Sequence, residues 1–509
     1  MIPIIDLFAG PGGLGEGFSS LEKPDGSPLF QIIMSVEMDA SAHKTLRLRS
    51  FFRKIVRANE GRVPSEYLAY MRTHDPSLLL ILQRRFEKEW EAAELEAVND
   101  KLVEGDDSLV REGARRLKAC GVESGPWVLI GGPPCQAYSL IGRSRRTNNK
   151  EFLESDERQT LYKCYLDFIR ALKPTVFVME NVKGLLSARH SGEGVFGRIC
   201  SDMQEAGYEV RSLVTAEAEG PRDYVVHAER YGIPQARHRV ILLGVKNDDP
   251  KASEILTPKA LLTLKDALTG IPQIRSGFSR RNGGRSDDEW QDYIRSAINR
   301  MEQTDEGRRI KKALDGVKDR VFPSAMTSNE VTGETGRYEG WYRGRMGASA
   351  VLSNHRSRRH LASDLDRYLY CSSYAEVFGT PAHIADFPRY LYPKHRNVLE
   401  AESPDQIIFA DRFRVQLWDR PSTTVTSHIR KDGHYYIHPD PSQCRSLTVR
   451  EAARLQTFPD DYFFEGSQTE QFGQVGNAVP PLLAQQIAKV VASYLGFESQ
   501  GFCDTLVPA

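Results

Sequence analysis

No Cys-x-x-Cys pair occurs anywhere in this chain. Its seven cysteines stand apart, at positions 120, 135, 164, 200, 371, 444 and 503. Neither a zinc knuckle nor a disulfide framework follows from such spacing, so no metal is expected. An odd number of unpaired thiols suits a reducing, cytoplasmic setting. An excess of one charge is also missing, since 68 Lys and Arg balance 68 Asp and Glu. That excludes a protein that coats nucleic acid with a uniformly basic surface. It does not exclude a single basic cleft, because binding follows the local field. No apolar run approaches the roughly 20 residues that span a bilayer, and no membrane partner is expected. The opening MIPIIDLFAG has no basic stretch followed by a long apolar one, so neither a signal peptide nor a regulatory domain ahead of the first motif is expected. Internal repeats, low-complexity tracts and flexible linkers are lacking as well.

What is present suits a globular protein of two or three domains: 509 residues, 40% apolar and 27% charged. Residues 2–8 read as a buried strand, 10–17 as a Gly-rich turn entering a helix, and Gln31–Val36 as a second strand ending in Glu37. The charged stretch at about 47–119 has helical patterning around Leu78–Val103. It reads as a helical insertion with solvated faces, or else as a partner-binding arm. Strands resume at Trp127–Ile130 and Thr175–Met179, with a helix over Thr160–Leu172 between them. A further strand precedes Glu217, and Arg239–Val245 is another. This alternation predicts an open, mostly parallel α/β sheet, whose ligands bind at the carboxyl ends of the strands. After Asn247 the pattern changes to Arg-rich patches, Tyr, Trp and turn residues. Residues 248–440 therefore read as a second, α+β domain inserted into a first domain made of 1–247 and 441–509. The return carries a helix over Thr448–Gln456 and a loop and helix over Gly473–Leu495.

Four local patterns carry chemistry. The turn Asp6 to Gly15 follows a strand and opens a helix, so its backbone can approach a ligand closely. It lacks the lysine of a nucleotide-triphosphate loop. With Glu37 at the next strand end, where a carboxylate accepts ribose hydroxyls, it points to an adenosine-bearing cofactor. Taken alone, Glu37 also reads as an exposed strand-end charge. Second, Gly131-Gly132-Pro133-Pro134-Cys135-Gln136 puts a thiol behind a rigid Pro-Pro pair at the end of a strand. Most lone cysteines are buried and structural. Here polar Gln136 and Ser139 follow, and the basic segment Gly142–Lys150 suits a lid over an anion. Third, Glu180 ends the run Val176–Met179 and shares a pocket with Cys135 if the two strands are adjacent. Fourth, Gln235-Ala236-Arg237-His238-Arg239 places two arginines on one face of an extended segment. Such a pair suits a carboxylate, a phosphate or a base carbonyl, or is a surface pair on an edge strand.

Together these motifs resemble the DNA (cytosine-5) methyltransferases of bacterial restriction-modification and phage-defence systems. DLFAGPGG is similar to the family's first motif, GGPPCQAYS to its Pro-Cys motif, ENV to its glutamate motif and QARHR to its Gln-x-Arg-x-Arg motif. RSLTVREAARLQTFPDDYFF is similar to the segment after the target-recognition domain, and VGNAVPP to the last cofactor motif. The resemblance implies a Rossmann-like methyltransferase sheet with an inserted target-recognition domain. It implies transfer of a methyl group from S-adenosylmethionine, leaving S-adenosylhomocysteine, to carbon-5 of a flipped-out cytosine in double-stranded DNA. It also implies a monomer in the bacterial cytoplasm, on the nucleoid, beside a cognate restriction or defence system.

Carried over by residue, the resemblance makes Cys135 the nucleophile at carbon-6, Glu180 the partner of ring N3, and Arg237 and Arg239 the holders of base carbonyl and catalytic loop. Phe8, Ala9, Gly10, Gly12, Gly13, Leu14, Glu37, Met38, Pro133, Asn477 and Val479 form the cofactor site. Gln136, Ser139, Arg143, Arg145, Arg343, Arg345 and Arg356 contact DNA. Arg337–His360 holds six arginines interleaved with Tyr338, Trp341 and Tyr342, a composition suited to phosphate contact and groove insertion, and Arg280, Arg281 and Arg285 form another patch. The basic segment 308–320 reads as a solvated helix, and PSTTVT at 421–426 as the hinge side of the return. The sequence departs from the family in its long gap between Glu37 and Pro133, which leaves one adenine contact unassigned, and in Tyr138 and Ala478. A transfer-RNA methyltransferase of the same fold usually has a far smaller insert. A silent DNA-binding subunit would not keep Cys135, Glu180, Arg237 and Arg239, and an amino-group methyltransferase would carry an aromatic residue in place of Cys135.

Overall fold

The structure is a computed structural model. It describes residues 1–122, 125–134, 161–190, 193–247, 251–279, 286–333, 336–394, 398 and 411–497. Eight apolar segments form one sheet: β1 (Ile2–Leu7), β2 (Phe30–Val36), β3 (Ala97–Val98), β4 (Val128–Gly131), β5 (Val176–Val182), β6 (Tyr208–Arg211), β7 (Val225–His227) and β8 (His238–Lys246). Their order is β3-β2-β1-β4-β5-β8-β6, with β7 alongside β8. The first five strands are parallel, and β8 runs antiparallel to β5, β6 and β7.

The central strands are apolar on both faces because helices cover both faces. Successive residues of β1 divide between two cores. Ile4 packs with Phe18, Val128, Val178 and Ile487 on one side, and Ile5 with Leu129, Tyr165, Phe177 and Ile169 on the other. The chain leaves β1 toward β2 and β3, then crosses back to β4 and β5. The reversal falls between β1 and β4, and such switch points open a crevice at the carboxyl ends of the strands.

The expected insertion at about 47–119 divides differently. Helix Ala40–Ala58 begins before it, capped by Asp39, whose carboxylate accepts from the amides of Ser41 and Ala42. Helices Ser65–Thr73, Pro76–Arg85 and Glu87–Glu96 pack against it in a small core that joins its Phe51 and Phe52 to Tyr67, Tyr70 and Leu82. The stretch then supplies β3 itself and helix Ser108–Ala119. The strand expected just before Glu217 ends earlier, at Arg211. Gly473 lies inside helix Gln468–Asn477 rather than in a loop, because Ser467 and Glu470 form a capping box that starts the helix upstream. Pro481 then opens helix Pro481–Tyr494.

Within 248–440, Phe278, Trp290, Ile294, Leu314, Leu365 and Tyr368 form a separate core. Helix Lys311–Asp319 buries Leu314 and Val317 in it, so only its other face is solvated. Other parts of this stretch pack elsewhere: Leu264 and Leu268 meet Val425, Leu447 and Phe458, and Tyr338, Trp341 and Tyr342 join the core of the sheet.

Candidate active site at the carboxyl edge of the sheet

The turn after β1 leaves extended geometry at once. Phe8 has φ 55, in the left-handed region that costs a non-glycine residue about 1–2 kcal/mol. Gly12 has φ 96, a conformation for glycine. Glu37, at the end of β2, reaches across to this turn. Its Oε2 accepts from the Gly10 amide at 2.8 Å and its Oε1 from the Asp39 amide at 2.7 Å. Burial raises the Glu37 carboxyl above the ordinary range, against those two amides. Met38 is exposed and Leu14 buried. A Cβ on Gly13 would stand 2.1 Å from the Val479 carbonyl oxygen, so glycine lets the C-terminal segment close on the turn. Tyr462 fastens the same place, its hydroxyl donating to the Pro11 carbonyl. Asn477 is exposed beside this junction. Beneath the turn, Asp6 is fully buried with no hydrogen-bond partner, and desolvation together with Glu37 pushes its carboxyl well above the usual range.

Sequence reasoning left one adenine contact open. β3 ends next to Glu37, and the residues after it are Asn99 and Asp100, both exposed. Asn99 Nδ2 donates to the Glu37 carbonyl at 2.8 Å. A two-residue strand leaves no periodic signal, so nothing local marked this position.

β4 and β5 lie side by side, with Gly131 opposite Met179. That places Gly132 beside Glu180, whose Oε2 would be 3.3 Å from a Cβ there. Asn181 Nδ2 donates to the Pro133 carbonyl at 3.1 Å and ties the Pro-Pro segment to β5. Cys135, Gln136, Ser139, Arg143 and Arg145 lie outside the described residues, as do Arg280, Arg281 and Arg285. The chain is described to Pro134, the residue before the thiol.

The two arginines do different work. Arg239 forms an ion pair with Glu180, Nε to Oε1 2.9 Å. Burial lowers its pKa and Glu180 opposes that shift. Arg237 is buried and points into the returning chain, donating to the carbonyls of Val425 at 2.9 Å and Gly476 at 3.4 Å. Burial, then repulsion from Arg239, brings it down to about 9. Gln235 completes the seal. Its Oε1 accepts from the Val425 amide at 2.7 Å, and its Nε2 donates to the Leu455 carbonyl at 3.1 Å. Residues 235–236 pair in parallel with 422–423, so PSTTVT forms backbone structure against the glutamine motif.

The basic segment 337–360 is a different object from the one its composition suggests. Trp341 Nε1 donates to the Thr457 carbonyl and the Tyr342 hydroxyl to that of Arg454. These aromatics are core, because helix Glu339–Arg343 and its preceding residue present positions 338, 341 and 342 on one face. Arg343 pairs with Glu339 at 2.9 Å, and Arg345 with Glu22 at 2.7 Å. Arg358 stacks on Phe472, 3.8 Å from the ring centre. Arg337, Arg356 and Arg359 are exposed.

Known proteins share this sequence pattern and this fold. The sequence pattern of the family described as C-5 cytosine-specific DNA methylase matches residues 100–493. The chain is 33% identical over 507 residues to the type II methyltransferase M.Bpa9945I of Bacillus paralicheniformis, covering 96% of this chain and 98% of that one. It is 26% identical to the type II methyltransferase M.AgeI of Thalassovita gelatinovora, over 96% of this chain and 98% of the relative. Its fold matches a crystal structure of an Escherichia coli prophage-encoded putative DNA modification methyltransferase with a TM-score of 0.54. That match covers 97% of this chain and 99% of the other, at 19% identity.

Proposed function

Because the chain belongs to the C-5 cytosine-specific DNA methylase family, we propose that Cys135, Glu180 and Arg239 methylate carbon-5 of one cytosine within a specific duplex sequence. The enzyme is a DNA (cytosine-5)-methyltransferase of a family that uses S-adenosylmethionine. The observation that carries the residue assignment is the meeting of Glu180 with Arg239, 2.9 Å apart, beside the Gly132–Pro134 segment that leads into Cys135.

Phe8, Ala9, Gly10, Gly12, Gly13 and Leu14 shape the turn that would hold the cofactor, with Glu37 at its ribose, Asn99 or Asp100 toward its adenine, and Met38, Pro133, Asn477 and Val479 at its edges. Support for this fit comes from the left-handed turn and from Glu37, whose carboxylate is bound to two backbone amides of the same concavity. When bound, S-adenosylmethionine supplies an electrophilic sulfonium methyl group.

Carbon-5 of cytosine is too weak a nucleophile to accept that group unaided. The Cys135 thiolate adds to carbon-6, forming a C–S bond. Glu180 holds a proton at N3, so the ring becomes an enamine with electron density at carbon-5. Arg239 fixes the Glu180 carboxylate while this charge moves. General-acid help of this kind is worth about 10²–10⁴-fold. After methyl transfer, solvent water takes the carbon-5 proton, its electron pair re-forms the C5–C6 double bond as the C6–S bond breaks, and release of the N3 proton restores the ring. The base must leave the stack for Cys135 to reach it, at a cost of a few kcal/mol. Arg237 and Gln235 act on the returning chain, holding the hinge of the target-recognition domain, which we assign to 248–440. The type II designation of the relatives supports a role in protecting host DNA within a restriction-modification system.

Bisulfite sequencing of DNA from cells expressing the chain tests the reading. Protected cytosines should appear in one short sequence and vanish with Cys135→Ala. DNA carrying 5-fluorocytosine should trap the wild type covalently, because fluorine cannot leave as a proton does. Undiminished protection by Cys135→Ala overturns the nucleophile assignment.

A further inference from the structure

Behind the glutamine-arginine motif, on the strand face away from Glu180, three potential ligands converge. His238 lies in β8 directly across from His227 in β7. Glu229 follows in the short helical turn Ala228–Tyr231. One ligand atom from each lies within 4.8 Å of the other two. His238 Nε2 is 2.8 Å from Glu229 Oε1, and His227 Nδ1 is 3.7 Å from the same oxygen. The two rings overlap, with centroids 3.9 Å apart. Glu229 Oε2 is buried with no hydrogen-bond partner, a carboxylate oxygen the protein does not satisfy.

We propose that His227, Glu229 and His238 form a binding site for one divalent transition-metal cation, best suited to zinc. Two imidazoles and one carboxylate are ligands such ions accept. Bond lengths of about 2.0–2.2 Å in a tetrahedral site put neighbouring ligand atoms about 3.3–3.5 Å apart. The 2.8 and 3.7 Å separations straddle that value, and the two imidazole ligand atoms lie within 4.8 Å of each other. The histidine and glutamate side chains are 19–33% exposed, which leaves a fourth position to water.

The site's place gives it a role. It would pin β7, the turn after it and the start of β8, the segment from which Arg237 and Arg239 project. The ion would stabilise the platform of the active site and stand apart from its chemistry.

The test uses the full chain after chelator treatment and desalting. Titration calorimetry with zinc chloride should show one ion per chain, and the ion should raise the melting temperature. Cobalt(II) in its place should give the visible bands of a tetrahedral site. His227→Gln and Glu229→Gln should each weaken zinc binding at least tenfold and abolish the cobalt bands and the melting shift, with circular dichroism showing both variants folded. Absence of zinc uptake by the wild type, or equal uptake by the double variant, overturns the proposal and leaves the trio as a hydrogen-bonded cluster. Should both variants unfold, cobalt bands in the wild type decide the question, their absence overturning the proposal.

Discussion

Two carboxylates in this protein show how position alone sets what a residue does. Glu180, the proposed partner of ring N3, is held by Arg239. Glu180→Gln keeps a hydrogen-bonding group for Arg239 but cannot deliver a proton. Its turnover should fall by about 10²-fold or more, while DNA affinity measured by titration stays within about twofold. Equal losses in both would make it a docking group. Asp6 is the opposite case, fully buried and unpartnered, with a pKa raised by desolvation and Glu37. A raised carboxyl binds its proton in the folded state and releases it on unfolding. It therefore lowers stability progressively as pH climbs above about 4, until the folded-state value is reached. Asp6→Asn removes that penalty. In urea unfolding it should gain on the wild type between pH 5 and pH 8, and a gap constant with pH would contradict the assigned protonation. The place of Glu180 was legible in the sequence because the apolar run Val176–Met179 leads directly into it. The protonation of Asp6 was not, because it depends on Glu37 and on burial under a helix formed later in the chain.

Elements were legible where period and caps agree. β1, β4, β5 and the turn after β1 follow directly from apolar runs and glycines. β3 did not, because two residues carry no alternation, and its position follows from Ser35 and Val36 pairing with Ala97 and Val98. The aromatic residues 338–342 were misread as DNA-facing because composition does not say which face of a helix they share. The closest element contact at the cofactor turn yields a sharp prediction. A Cβ at position 13 would overlap the Val479 carbonyl at 2.1 Å, so helix Pro481–Tyr494 must retreat from the turn. Overpacking of this kind costs about 1–3 kcal/mol, and each 1.4 kcal/mol is about tenfold in affinity. Gly13→Ala should weaken S-adenosylmethionine binding by about tenfold or more in calorimetry and lower the melting temperature. A variant that binds the cofactor as the wild type does would place the C-terminal segment away from the site.

At the scale of the molecule, a chain of zero net charge must bind DNA through a local excess of cations. The arrangement of charge decides which arginines can contribute. Arg343 and Arg345 are occupied by Glu339 and Glu22, and Arg358 is stacked on Phe472. Arg356 is exposed, makes no ion pair among the described residues, and stands beside helix Gln468–Asn477, its carbonyl accepting from Gln468 Nε2 at 2.8 Å. A phosphate-contacting arginine releases about one counterion, so removing it lowers the slope of log affinity against log salt by about one. Arg356→Ala should show that loss equally on cognate and scrambled duplexes. Arg343→Ala and Arg345→Ala should leave the slope unchanged, and loss of the exposed Arg345–Glu22 pair should alter stability by no more than about 1 kcal/mol. If instead Arg356→Ala costs about 1–3 kcal/mol on the cognate duplex alone, it reads a base edge. If the slope changes only in the two paired arginines, their carboxylate partners yield to phosphate when DNA binds, and the docking face includes the helix Glu339–Arg343 rather than the Arg356 junction.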